Sequence, residues 1–188
     1  MSHPPQVLVP VADGTEEIEA VTVIDTLRRA GCEVAVASVG PRREVTCSRG
    51  VVLVADARLV DLPVRPLQAI VLPGGMPGAE HLRDCAPLIA RLGAHDAADG
   101  LVAAICAAPV VVLQHHGLLR GRRGTCHPAF YDTLPADSRR PDRVVMDGNL
   151  LTSRGPGTAL EFALALVGVL CGPQVRHQVA TAMLPPPG

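Results

Sequence analysis

Leu101-Val102-Ala103-Ala104-Ile105-Cys106-Ala107-Ala108-Pro109 is the stretch on which the fold reading turns. Five apolar residues in a row, without the alternation of a half-exposed strand, suit a strand buried on both faces. Pro109 suits the first turn of a helix, where its missing N–H is not needed. A buried strand, a cysteine in the turn and a following helix together make the geometry of a nucleophile elbow. A thiol at that junction faces unpaired N–H groups and the positive end of a helix, which both favour thiolate. An inert buried thiol is the competing reading, since free cysteines are among the most buried residues of proteins.

Outward from this stretch, strands and helices alternate. Val7-Leu8-Val9 reads as a buried strand, and Asp13-Gly14 as a turn. Glu16 to Ala30 has Ile18, Val21, Ile24 and Leu27 at helical spacing, with Gly31 as the stop. Val34 to Val39 reads as a strand and Val51 to Ala55 as another apolar run, separated by the polar Pro41-Arg42-Arg43-Glu44. Ala69 to Leu72 is a short buried strand ending in Pro73-Gly74-Gly75, followed by a weaker helical pattern through Leu82, Leu88, Ile89 and Leu92. After Gly117 the chain is rich in turns. Arg143 to Met146 and Leu150 to Thr152 predict a hairpin around Asp147-Gly148-Asn149, and Ala159 to Cys171 a buried helix stopped by Gly172-Pro173. The tail Pro185 to Gly188 is expected to be loose. This alternation predicts an α/β fold, a mainly parallel sheet covered on both faces, in a single domain over 1–188 with an ordered core over about 6–183.

Composition removes several function classes. The 188 residues are 48% hydrophobic and 19% charged, with a formal net charge of -1. Disorder is therefore excluded, and there is no basic field for nucleic acid. All 17 basic residues are arginine. The absence of lysine rules out Schiff-base enzymes, P-loop nucleotide sites and Ser/Lys acyl transfer. Six scattered cysteines without a CxxC pair read as reduced thiols, and no HExxH or paired Cys/His spacing suggests a metal. Without a signal-like N-terminus or an apolar run of about 18 residues, the expectation is a cytoplasmic protein off the membrane.

Ligands of open α/β sheets bind beyond the carboxyl ends of the strands. The Pro73-Gly74-Gly75 turn permits close backbone approach there, and an N–H from it with that of Ala107 would make an oxyanion hole; a plain tight turn is the alternative. Glu16, Glu17 and Glu19 suit the first turn of a helix through its dipole. One of them turned inward would keep its proton and donate it to a thiolate, but periodicity does not select which. His127 lies in a loop, either as an acid or base or as a solvated histidine.

Five ordered blocks carry a family resemblance: Gly14-Thr15-Glu16-Glu17-Ile18-Glu19-Ala20, Thr46-Cys47-Ser48-Arg49-Gly50, Val71-Leu72-Pro73-Gly74-Gly75, Ala103 to Pro109, and Thr152-Ser153-Arg154-Gly155-Pro156-Gly157-Thr158. They resemble the ThiJ/PfpI superfamily, and within it the branch of the bacterial YajL/ThiJ proteins and the human parkinsonism-associated deglycase. The resemblance implies a flavodoxin-like three-layer sandwich and a homodimer. It also implies Cys106 as nucleophile, Glu19 as its carboxyl partner, Gly75 and Ala107 as backbone donors and His127 as the pocket histidine. Arg29 and Arg49 match arginines that line the pocket near the subunit interface, where a guanidinium fork suits an anionic product. Ala107 after the nucleophile disfavours a PfpI-type peptidase, and Ala104 and Ala108 disfavour a glutamine amidotransferase.

The implied activity is a cofactor-independent glyoxalase III-like or deglycase reaction on methylglyoxal, glyoxal or their early adducts, releasing a hydroxy acid. A redox-sensing chaperone that binds unfolded clients, regulated by Cys106 oxidation, is the alternative from another class. Both readings use the same residues.

Overall fold

Runs of aliphatic residues become the strands of a seven-stranded sheet in the computed structural model, which describes residues 3–184. β1 (Gln6–Val11), α1 (Glu17–Arg29) and β2 (Glu33–Ser38) form the first crossover, with β1 and β2 parallel from Gln6 against Glu33 to Val11 against Ser38. β3 (Glu44–Thr46) and β4 (Val52–Val54) pair antiparallel as a hairpin outside the main sheet, and β5 (Ala57–Arg58) returns to its edge beside β2. β6 (Ala69–Leu72) leads through α2 (Gly78–Arg83) and α3 (Ala86–Ala97) to β7 (Leu101–Ile105). β8 (Val144–Asp147) and β9 (Leu150–Ser153) are the predicted hairpin, followed by α4 (Ala159–Cys171) and α5 (Pro173–Met183).

The strand order is β5-β2-β1-β6-β7-β9-β8, parallel throughout except for the β8–β9 pair. Every residue of β6 and β7 is buried, so both faces of the sheet are covered there. On the helical side α1 packs on α4 and α4 on α5, while α2 packs on the helical turn after β7. This is the mainly parallel sandwich expected from the sequence. No described helix is long and apolar enough to cross a membrane.

Several local expectations change. The apolar run Val51 to Ala55 forms no strand of the main sheet: Val52 and Val54 are exposed and pair only with β3, whose first residue, Glu44, ends the polar stretch between the two runs. Gly172-Pro173 stops α4 as expected, but Pro173 also opens α5, where its lack of an N–H costs nothing. The weak pattern from Leu82 to Leu92 is two helices. The helix opened by Pro109 is wide: His115 N–H reaches Val110 O at 3.3 Å and Leu118 N–H reaches Leu113 O at 2.8 Å, both five residues back. The predicted loose tail, Pro185 to Gly188, lies outside the described residues.

Candidate active site

Cys106 follows the last residue of β7 and adopts φ +65, a left-handed conformation that costs a side-chain-bearing residue on the order of 1–3 kcal/mol. The surroundings hold it there. Its N–H donates to Ser153 O at 3.0 Å, and its carbonyl accepts the His127 N–H at 2.8 Å. Strand β9 and the His127 segment thus grip the elbow from both sides. Ser153 is itself fixed: its hydroxyl donates to Arg143 O at 2.8 Å and lies 2.7 Å from Thr158 Oγ1.

Among the three glutamates of the first helical turn, tertiary packing makes the choice that periodicity could not. Glu16 caps α1, its carboxylate accepting the Glu19 N–H at 2.8 Å. Glu17 accepts from Ser48 Oγ and from the Arg49 N–H, each at 2.8 Å. Glu19 has no solvent exposure at all, and its Oε2 accepts the Gly74 N–H at 2.8 Å. Its Oε1 finds no nitrogen or oxygen partner, and the side chain that interacts with this carboxyl is the Cys106 thiol.

Two neighbours on one helix turn therefore titrate in opposite directions. Burial would raise Glu17, but donors from its own amide, Ser48 and Arg49 outweigh it and hold the carboxyl below its ordinary range. Burial pushes Glu19 up to about 7, only partly opposed by the Gly74 N–H and the Cys106 thiol. Burial also pushes the Cys106 thiol up to about 12, helped by the charge of Glu19 and the hydrogen bond to it. The N–H groups of Gly75 and Ala107 pull it down. Thus a helix terminus does not by itself free the thiolate, contrary to the simple reading of the elbow. Carboxyl and sulfur compete for one negative charge, and the sulfur can carry it once Glu19 holds the proton.

Gly74 and Gly75 are needed for space. A Cβ on Gly74 would lie 2.6 Å from Cys106 Cβ and 2.9 Å from Glu19 Oε2. Gly75, at φ +88, has its absent Cβ against the backbone of Gly14, Thr15 and Glu16. Bare backbone here allows two amide N–H groups to aim at the sulfur.

His127 stands at the start of the short helical turn Pro128–Thr133, half-buried. Its Nδ1 accepts the Ala129 N–H at 3.2 Å, which puts the proton of a neutral ring on Nε2. Arg49 is exposed, in a loop pinned to the first turn of α1 through Glu17, at the same end of the helix as Glu19. Arg29 is not brought into this cluster within the chain. It pairs with Asp25 at 2.7 Å in the last turn of α1, about 15 Å along the helix from Glu19 at 1.5 Å per residue. What the sequence does not show is the supporting part of two residues: Glu17 holds the Ser48–Arg49 loop and Ser153 the Cys106 amide, both contacts between distant segments. Among the described residues, no three His, Cys, Asp or Glu side chains gather as a metal site.

The chain is similar to several known proteins over nearly its whole length. Protein DJ-1 homolog B of Arabidopsis thaliana is 46% identical over 180 residues, covering 96% of this chain, which spans only 41% of that relative's length. A Caenorhabditis elegans protein named glutathione-independent glyoxalase DJR-1.2 is 37% identical over 175 residues, covering 92% of this chain and 91% of its own. A solved structure of oxidized Toxoplasma gondii DJ-1 is 49% identical and covers 97% of this chain and all of its own, with a TM-score of 0.95. Because residues 5–168 also match the DJ-1/PfpI family as a whole, this chain belongs to the DJ-1/PfpI (ThiJ) family.

Proposed function

We propose that this chain is a cofactor-independent glyoxalase that acts on small 2-oxoaldehydes such as methylglyoxal or glyoxal, and on their early adducts as a deglycase. The observation that carries the reading is the fully buried Glu19 carboxyl with one unpartnered oxygen beside the Cys106 thiol, opposite the Gly75 and Ala107 N–H groups. The name of the Caenorhabditis elegans relative supports it.

In this reading the Cys106 sulfur attacks the aldehyde carbon, and the resulting oxygen takes a proton to complete a hemithioacetal. Glu19, assisted by His127 Nε2, moves the proton of that carbon to the neighbouring carbonyl carbon while the hydroxyl proton passes to the ketone oxygen, which turns the hemithioacetal into the thioester of a hydroxy acid. Water then cleaves the thioester, releases the hydroxy acid and restores the thiol. Gly75 and Ala107 would steady the developing negative charge, and Arg49 would hold the anionic product.

The reading includes a homodimer in which a second copy brings Arg29 to the pocket. Exposed Ile18 and Val21 of α1 and Val51, Val52 and Val54 of the β3–β4 hairpin support an apolar contact. A cytoplasmic location, supported by six free cysteines, and a single-domain organisation belong to the same proposal.

The test is direct measurement of lactate from methylglyoxal for wild type, Cys106→Ser and Glu19→Gln. Lactate from wild type at no more than the Cys106→Ser rate would sink the enzymatic reading. The second reading, a redox-sensing chaperone, is favoured by the oxidized state named for the Toxoplasma gondii relative. Mass spectrometry of Cys106 after mild peroxide, with a client-aggregation assay on the same samples, tests it.

A further inference from the structure

At the other end of the parallel strands from Cys106, two more sulfurs meet. Cys32 sits between Gly31, where the chain leaves α1, and Glu33, the first residue of β2; Cys171 is the last residue of α4. They are 139 residues apart in sequence, yet their Sγ atoms lie 3.5 Å from each other. Cys32 is buried and Cys171 half-buried. β2 and β7 run the same way across the sheet, so a site before β2 and a site after β7 are separated by the length of a strand, roughly 15 Å. Cys106 is therefore out of reach as a partner for either.

We propose that Cys32 and Cys171 form a reversible intramolecular disulfide when the protein meets a hydroperoxide, making a second oxidation site that is independent of Cys106 and staples the α1–β2 corner to the end of α4.

The chemistry follows from the unequal exposure of the pair. Cys171, the more accessible sulfur, attacks the peroxide O–O bond and becomes a sulfenic acid as one water leaves. Cys32, already in contact, then attacks that sulfur; the S–S bond forms, and the sulfenic hydroxyl leaves with the Cys32 proton as a second water. Two thiols are oxidised and one hydrogen peroxide is reduced. A small thiol reverses the bond by exchange. The sulfurs must close from 3.5 Å to about 2.05 Å, and Cys171 has room to move because it ends its helix against Gly172. A groove lined by Arg29, Ala30, Gly31, Val175 and Val179 lies beside the same corner.

Burial and the neighbouring Cys171 push the Cys32 thiol up to about 12, so it is a poor nucleophile towards solvent reagents and has its partner at hand. The amide of Cys32 donates to Leu27 O at 3.0 Å, which holds the residue against α1. The crosslink would therefore tie α1 to α4, the two helices already packed on each other. Closing so long a loop restricts the unfolded chain more than the folded one.

The sequence offers a clean test. Trypsin, cutting only at arginine in a chain without lysine, releases Cys32 in peptide 30–42 and Cys171 in peptide 155–176, and neither holds another cysteine. The full chain carrying Cys106→Ser is treated with hydrogen peroxide, digested without reduction and mapped by mass spectrometry. The expected result is one linked pair of these peptides, abolished by dithiothreitol and absent from Cys32→Ser and from Cys171→Ser. The melting temperature of the linked protein should rise by on the order of 5 °C. Recovery of both peptides as free thiols or separate sulfinates, at a dose that oxidises Cys106 in wild type, would overturn the proposal. So would a bond found only between two chains, or a linked protein with an unchanged or lower melting temperature. Because Cys106 is absent from the assay, its outcome is independent of the proposed glyoxalase activity.

Discussion

Cys106 and Cys32 are both buried thiols pushed up to about 12, at opposite ends of the strands of one sheet, yet their surroundings prepare them for different chemistry. At Cys106 the neighbour is a carboxyl that itself titrates near neutral pH, and two backbone N–H groups point at the sulfur. At Cys32 the neighbour is a second sulfur. Burial raises both thiols. The first environment offers a proton acceptor and a place for negative charge; the second offers only a partner for a bond. Reactivity towards a carbonyl carbon thus follows from what surrounds the sulfur, more than from its burial or its place beside a helix.

The largest expected effect comes from removing the proton carrier while keeping its shape. Glu19→Gln should lower lactate formation from methylglyoxal by roughly 10²- to 10⁴-fold, while Cys106 remains open to alkylation. An activity within a few-fold of wild type would erase the proposed difference between the two cysteines.

Next is the pH dependence of stability. The native Glu19 carboxyl titrates at about 7 against 4.5 in its ordinary range, so the native state binds more protons than the unfolded chain between those values. Stability should fall as pH rises through that window, by about 3 kcal/mol at its upper end, and the loss should be missing from Glu19→Gln. Denaturant unfolding at several pH values reads both slopes. A Glu19→Gln slope as steep as wild type would assign the loss to another group.

Gly74→Ala places a methyl group 2.6 Å from Cys106 Cβ, so it should destabilise the chain by about 1–3 kcal/mol. Gly31→Ala, in the corner of Cys32, meets no atom within 4 Å, so crowding should contribute nothing there and only the cost of φ +82 remains, about 1 kcal/mol. Comparing the two melting curves separates crowding from backbone strain. The smallest effect is that of Arg29→Ala: its solvent-exposed pair with Asp25 should contribute little to stability. The proposed dimer instead predicts a KM raised severalfold with kcat unchanged. An unaltered KM would remove Arg29 from the pocket.

The strand Leu101–Ile105, the elbow at Cys106 and the helix Ala159–Cys171 were legible because each is encoded by neighbours in the chain: an unbroken apolar run, a proline at a helix start, a glycine-proline stop. The role of Val51 to Ala55 was not, since an apolar run of this length fits a buried strand and an exposed hairpin alike. Family motifs named Glu19 and Cys106 as partners, while local periodicity left Glu16, Glu17 and Glu19 equivalent. What the chain determined by itself was the alternation of elements and the position of one thiol after a buried strand. The tertiary structure decided which glutamate loses water, because burial depends on the Gly74 backbone arriving from 55 residues away. It also decided that Cys32 meets Cys171, since a contact between distant segments is made by packing and leaves no trace in the residues beside either one.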